Sequence, residues 1–366
     1  MLSDGSLLTE ALSKCTCASC GLVQHVDEPQ DDNIRSYFGS SYSLGDRQPN
    51  LGFEGQRQAQ YAEWILSSLG RFSPTSILEL GCGNGALLTK LIARFPSAKV
   101  VGLESSERAV AWAQKCGLPV HRAYITEEHS MRGYSADLVL SVNVIEHTPN
   151  PAGFLKAAKM AVRDGGLLLV ICPNGLEVGS ELLIYDHLFT FCPSNLFALI
   201  QGCGLKLVQH QCSPPELPGF QMVLATVNVT GEHEFQKASV CAEVEVAKLH
   251  ATRVSYLNAW KDLDSKLCDT IVGYRATVMF GLGEMAQLIR AYAPSVWDRI
   301  KYFVADDPVE VEYFGRPVIS YAELKPAKDE LVLLAVSPRS TEKLSARLKA
   351  GGHQVLTLDQ FILPNI

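Results

Sequence analysis

Apolar and polar positions change rhythm several times along the chain. The runs "SILELG" (76–81), "AKVVGLE" (98–104), "LPVHRAY" (118–124), "ADLVLSV" (136–142) and "GLLLVICP" (166–173) are short and apolar, so each is a predicted strand. Between them lie stretches with helical spacing. "GQRQAQYAEWILSSL" puts Tyr61, Ile65 and Leu69 on one face, and "GALLTKLIARF" and "ERAVAWAQKC" fill the later gaps. Beta-alpha repetition of this kind forces a parallel sheet covered on both faces. After a helix in "CPSNLFALIQGCG", the strands "LKLVQHQ" and "FQMVLATVNV" follow, joined by the proline-rich bend "SPPELPG". That bend is too short for a crossover, so the last pair is expected to be antiparallel, for about seven strands in all.

A long polar helical pattern is predicted over 232–270, with Val246, Leu249, Leu257, Trp260 and Leu267 along one stripe. A second, smaller beta-alpha unit starts at "ATVMFGLGEMAQLIRAYA" and runs through "IKYFVADD", "ELVLLAVS", "STEKLSARLKAGG" and "HQVLTL". The expected organisation is a cysteine-containing arm or lid (1–55), a first sheet domain (56–231), a helical linker (232–272) and a C-terminal domain (273–366). The fold class is α/β: a seven-stranded Rossmann-like sheet with a second, smaller Rossmann-like domain at the C-terminus.

Composition narrows the partners. Of 366 residues, 47% are hydrophobic and 19% charged, enough for buried cores, and the net charge of −7 argues against a nucleic-acid partner. No stretch approaches a membrane span, and "MLSDGSLLTEALSK" lacks the pattern of a secretory leader. Eleven cysteines scattered through a long chain fit a reducing compartment, so the expected location is the cytoplasm.

The turn "LELGCGNG" lets backbone approach a ligand and presents helix N-terminal amides. Dinucleotide and S-adenosylmethionine sites both use such a turn. Glu79, two residues before Gly81, separates them: a carboxylate repels a pyrophosphate and suits a ligand with an ammonium group. Glu104 closes the next strand, 19 residues after Gly85, where an acid accepts ribose hydroxyls.

Taken in order, "LELGCGNG", "GLES" and "DLVLSVNVIEHTPNP" resemble the successive motifs of class I S-adenosylmethionine-dependent methyltransferases, over about residues 56–230. That resemblance implies S-adenosyl-L-methionine as cofactor. It places Glu79, Gly81, Gly83, Asn84 and Gly85 around the methionine moiety and Glu104 with Ser105 at the ribose. Tyr124 and Ile125 would flank the adenine, and Asn143 and Val144 would sit under the sulfonium. The N-terminal "CASCGLVQHVDEP" and "YFGSSYSL" are similar to the start of bacterial sugar C-methyltransferases, which act on keto-sugar nucleotides. The implied partner is a small-molecule acceptor, a nucleotide-linked sugar, with O- or N-methylation of another metabolite as the alternative.

Those relatives hold zinc with two CxxC pairs. Here only Cys17 and Cys20 match, so a zinc site would have to draw on Cys15, Cys17, Cys20 and His25. Transfer to a hydroxyl or to carbon beside a ketone needs a base. His187 in "ELLIYDHLFTF" is the first candidate, with Tyr185 beside it; His147 is the second, and Glu146 a pocket-shaping neighbour. Tyr37 and Tyr42 are expected lid residues.

The C-terminal unit carries a rival reading. Gly281, Gly283 and Ala286, with Asp306 twenty residues beyond Ala286, satisfy a dinucleotide fingerprint, which would make the chain an NAD-dependent oxidoreductase or a nucleotide-sensing module. Against this weigh Glu79 before the first glycine turn and the "VIEHTPNP" segment; "YFVADDP", "FGRPVIS" and "LVLLAVS" look like the small domain of bacterial sugar acetyltransferases, while Glu284 and Met285 stand where sugar C-methyltransferases carry a lysine-containing motif.

Overall fold

The computed structural model of the chain describes residues 1–27, 31–42, 52–126, 131, 133–227 and 245–363. Two compact units form: Leu12–Leu249, and Met1–Ala11 together with His250–Ile366. Boundaries expected at 55/56 and 231/232 do not coincide with this division, because the cysteine hairpin packs into the larger unit.

The larger unit begins with an antiparallel hairpin, β1 (Lys14–Thr16) and β2 (Val23–His25). Its main sheet is built from β3 (Ser76–Leu80), β4 (Lys99–Glu104), β5 (Val120–Arg122), β6 (Ala136–Val142) and β7 (Val162–Pro173). A two-residue strand, β8 (Phe189–Thr190), precedes the last sheet strands, β9 (Lys206–Cys212) and β10 (Phe220–Thr226). Seven strands lie in the order β5-β4-β3-β6-β7-β10-β9, and β10 runs antiparallel to both β7 and β9, as the short bend required.

Alternation along the strands sorts the core into two layers. Ile77, Leu138, Leu140, Leu167 and Leu169 join Tyr61 and Ile65 on one face. Leu78, Leu80, Val139, Leu168 and Val170 join Phe154 and Leu196 on the other. A strand buried on both faces shows no polar alternation, which is why these segments read as continuous apolar runs. Two strand predictions shift: β5 is three residues long, and β7 starts at Val162 rather than 166. Strand β8 pairs with β2 (Val23 opposite Thr190, Gln24 opposite Phe189), so the N-terminal hairpin is stitched to the segment just after His187.

The smaller unit has a six-stranded sheet of β11 (Ala276–Phe280), β12 (Ile300–Ala305), β13 (Glu312–Tyr313), β14 (Arg316–Ser320), β15 (Glu330–Leu334) and β16 (Gln354–Thr357). Its order is β13-β14-β12-β11-β15-β16, with every neighbouring pair parallel except β13 with β14.

The single helix expected from 232 differs. Residues 232–244 lie outside the described residues, and beyond them helices Val246–Lys261 and Leu263–Ile271 are interrupted at Asp262. Aspartate is a poor interior residue because its side chain competes with the backbone for hydrogen bonds. Of the expected stripe, Leu249, Trp260 and Leu267 are buried. Among the described residues, no helix is long and apolar enough to cross a membrane.

Candidate active site

Past β3 the chain turns through Gly81, Gly83 and Gly85, all with positive φ (73°, 55° and 82°), into the helix Ala86–Arg94. A Cβ on Gly81 would lie 2.4 Å from Val144 Cγ2, and one on Gly85 2.4 Å from Leu118 Cδ1, whereas Gly83 has nothing within 4 Å. The turn is therefore packed at both ends and open in its middle. A cavity there is lined by Glu79, Gly81, Gly83, Asn84, Glu104, Ser105, Tyr124, Ile125, Asn143 and Val144. Of the residues expected at the cofactor, only Gly85 stands behind the wall, capping the helix.

Two acids meet at this turn. Glu104 accepts the Gly83 N–H on Oε2 at 2.8 Å and the Ser106 N–H on Oε1 at 2.7 Å. Oε1 also accepts the Ser105 hydroxyl at 3.2 Å, so of a carboxylate's roughly four lone-pair directions one remains for a ligand hydroxyl. Glu79 is 3% exposed, and its Oε2 has no hydrogen-bond partner among the described residues. Burial, reinforced by the nearby Glu104 charge, pushes its carboxyl up to about 8. An unpartnered buried carboxyl of this kind is a waiting partner for a cation.

Asn143 holds a left-handed backbone (φ 53°), a conformation that costs a non-glycine residue about 1–3 kcal/mol. Its N–H donates to the Ile171 carbonyl at 2.9 Å, and its Nδ2 donates to the Tyr61 hydroxyl at 2.7 Å. The Oδ1 atom is left buried without a partner among the described residues. Tyr61, which reads in sequence as an apolar helix-face residue, thus has a polar task that no spacing revealed.

Beside the cavity lies a cluster of titratable groups, of which His147 reaches the cavity wall. Its Nδ1 is 2.8 Å from the Asp186 carbonyl, and a carbonyl can only accept, so Nδ1 carries the proton and Nε2 the lone pair. The Asp186 carboxylate lies 3.4 Å from the same nitrogen. Burial and the His187 charge push His147 down to about 4, so it is neutral at ordinary pH. For His187 burial also favours the neutral ring, but the charge and hydrogen bond of Glu181 outweigh it and raise the imidazole to about 9. The two rings stand edge to face, 4.7 Å apart.

His187 does not line the cavity, and an imidazole protonated at neutral pH cannot accept a proton, so it does not fit the role of base expected for it. Tyr185 is not brought to the cavity either. Its ring packs edge-on to His25, 4.8 Å away, and its carbonyl accepts the His25 Nε2 proton at 2.6 Å. Cys15, Cys17, Cys20 and His25 do not come together as a metal-ligating group among the described residues. Among the described residues, one group of metal-ligating side chains comes within 4.8 Å, namely Glu146, His147 and His187. A cation there would displace the His187 proton that Glu181 otherwise favours. Of the expected lid tyrosines, Tyr42 lines the cavity, joined by Phe38 rather than Tyr37. Phe38 lies in a π-helical turn, Tyr37–Ser41, and its ring meets His147 at 5.1 Å.

Residues 53–210 match a family described as a methyltransferase domain. A ubiquinone biosynthesis O-methyltransferase of Rhizobium etli is 35% identical over 178 residues, covering 45% of this chain and 71% of the relative. A trans-aconitate 2-methyltransferase of Acidovorax ebreus is 30% identical over 136 residues, 37% of this chain and 52% of the relative. The solved plantazolicin methyltransferase BpumL, in complex with a triazolic desmethylPZN analog and SAH, is 16% identical with a TM-score of 0.45, over 54% of this chain and 95% of that one.

Proposed function

The chain belongs to the class I S-adenosylmethionine-dependent methyltransferases, and from that premise we propose that it methylates a small molecule whose acceptor atom must first lose a proton. The acceptor we favour is a nucleotide-linked keto sugar, methylated on the carbon beside its carbonyl. The N-terminal resemblance to sugar C-methyltransferases supports that choice.

The residues around the glycine turn suit the cofactor. The orphaned Glu79 Oε2 matches an ammonium group, and Glu104, tethered to Gly83, Ser105 and Ser106, keeps one acceptor direction for a hydroxyl. Tyr124 and Ile125 offer flanking surface for a base, with Ser105 beside Glu104, and Asn143 and Val144 close the far wall. When bound, S-adenosylmethionine supplies the methyl group.

One observation carries the proton-removal reading. His147 stands in the cavity wall as a neutral imidazole with its tautomer set, Nδ1–H toward Asp186 and the Nε2 lone pair unprotonated. His147 takes the acceptor proton on Nε2, and the Asp186 carboxylate, 3.4 Å from Nδ1, stabilises the imidazolium that results. His187 stands edge to face with His147, 4.7 Å away, and does not line the cavity. Tyr185 has a supporting place against the hairpin.

O-methylation is the second reading, favoured by the Rhizobium etli relative, whose name specifies an O-methyltransferase. The same base would serve a phenolic or enolic hydroxyl. The test is methyl transfer from S-adenosylmethionine to keto-sugar nucleotides and to diphenols, for the wild type and His147→Ala. The expected result is product from the sugar and a loss of about 10²–10⁴-fold in turnover in the variant, with cofactor affinity unchanged by calorimetry. Product from diphenols alone would hand the assignment to O-methylation, and a variant at full rate would end the role of His147.

A further inference from the structure

Tyr61 lies behind the cavity wall and reaches it through one side chain. It belongs to the helix Gly52–Leu69, whose Arg57 and Gln58, one turn earlier, line the cavity directly. Tyr61 itself is 0% exposed, and its ring packs edge-on to Phe220, the first residue of β10, at 5.5 Å. That packing fixes where the phenol oxygen stands. Asn143 Nδ2 donates to this oxygen at 2.7 Å.

Asn143 is the first residue after β6, and its φ of 53° turns the chain sharply out of the strand. Val144 follows and closes against the glycine turn, where a Cβ on Gly81 would lie 2.4 Å from Val144 Cγ2. Both Asn143 and Val144 line the cavity. A left-handed backbone at a non-glycine residue persists only where its surroundings over-determine it. Two bonds do so here, the N–H to the Ile171 carbonyl at 2.9 Å and the side chain to Tyr61. Oδ1 is already buried without a partner among the described residues, so loss of the Tyr61 hydroxyl would leave the whole amide buried and unpaired.

We propose that Tyr61 is a positioning residue for the cofactor: its hydroxyl clamps the Asn143 amide and so holds the strained joint that sets the Asn143–Val144 wall. The proposal rests on the cofactor placement given under the proposed function.

The experiment measures binding of S-adenosylmethionine and S-adenosylhomocysteine by calorimetry in the full-length chain, with thermal unfolding run alongside. Tyr61→Phe removes one oxygen, keeps the ring against Phe220, and is expected to weaken binding of both ligands about tenfold. Asn143→Gly adopts a φ of 53° without strain, so it should fold. Its joint is unclamped and free to move, and affinity should fall about threefold. The double variant should bind no more weakly than Asn143→Gly alone, because Tyr61 has nothing left to hold.

If Tyr61→Phe does not fold, Asn143→Gly carries the test, and unchanged affinity in it overturns the proposal. A lowered unfolding midpoint in Tyr61→Phe with unchanged affinity also overturns it, since the bond would then serve the fold alone. Losses that simply add in the double variant overturn the route through Asn143. In each of these outcomes the wild type still binds S-adenosylmethionine, and the proposed function stands. A wild type that binds neither ligand removes the cofactor placement itself, and the proposal with it.

Discussion

The chain contains two strand–turn–helix units of similar composition, "LELGCGNG" and "VMFGLGEM". In the first, the acid closing the next strand, Glu104, reaches back to the Gly83 amide, and Gly83 faces open space. In the second, the first glycine is packed as Gly81 is, a Cβ on Gly281 lying 2.3 Å from the Ala335 carbonyl oxygen just past β15, and Gly283 faces open space as Gly83 does. Its matching acid, Asp306, is taken by Arg347 at 2.5 Å. Its helix opens on Glu284, whose negative charge already complements the helix dipole where a pyrophosphate would sit. Glycine spacing alone does not separate these cases. What separates them is where the neighbouring carboxylate goes, Glu104 to the glycine turn and Asp306 to an arginine. That placement weighs against the dinucleotide reading of the C-terminal unit.

The largest test is a pair of alanines in the two turns, one at a packed glycine and one at an open glycine. Gly281→Ala combines a φ of 116° with overlap onto backbone, and should destabilise the C-terminal unit by about 3–5 kcal/mol. Gly83→Ala meets no neighbour at φ 55° and should cost only about 1–2 kcal/mol in stability, while weakening cofactor affinity. Urea unfolding and calorimetry on both variants separate the effects. Equal stability losses, or an affinity change in the Gly281 variant alone, would break the contrast between a packed and an open glycine.

Next in size is the pair of acids. Glu104→Ala removes the charged acceptor for a ribose hydroxyl and should weaken S-adenosylmethionine binding by up to about 3 kcal/mol, roughly 100-fold in Kd. Asp306→Ala should leave that Kd alone. It breaks an ion pair between side chains 38% and 51% exposed, worth no more than about 0.5 kcal/mol. Binding of NAD that depends on Asp306 would restore the rival reading.

The parts legible in the sequence are those with a local period or a local motif. The strands of the first sheet, the final antiparallel pair, and ten cavity residues from Glu79 to Val144 all came from spacing or from ordered motifs. Contacts between distant residues left no such mark. The Tyr61–Asn143 bond joins residues 82 apart, and the His25–Tyr185 bond joins residues 160 apart. Strand β8 is two residues long, too short for any alternation, yet it anchors Thr190 and through it Glu181. Protonation was also hidden: His147 and His187 look alike in sequence, and only their buried neighbours make one neutral and the other charged.

The smallest effect bears on why the first turn is a binding site at all. Glu79 is mostly protonated at pH 7 when no cation faces it, since burial and Glu104 raise it from 4.5 to about 8. An ammonium group binds the carboxylate form, so cofactor binding must release a proton from Glu79. Affinity should then rise with pH by up to about tenfold per unit between pH 6 and about 7.5. The rise ends where the ligand's own α-amino group starts to lose its proton. The same shift has a stability consequence without ligand. A raised carboxyl favours the fold fully below 4.5, and that contribution is lost as pH rises through about 8. Glu79→Gln should flatten both dependences, and calorimetry in two buffers of different ionisation enthalpy counts the proton directly. If the wild type releases none, Glu79 is already ionised before binding, and the turn draws its cation preference from Glu104 instead.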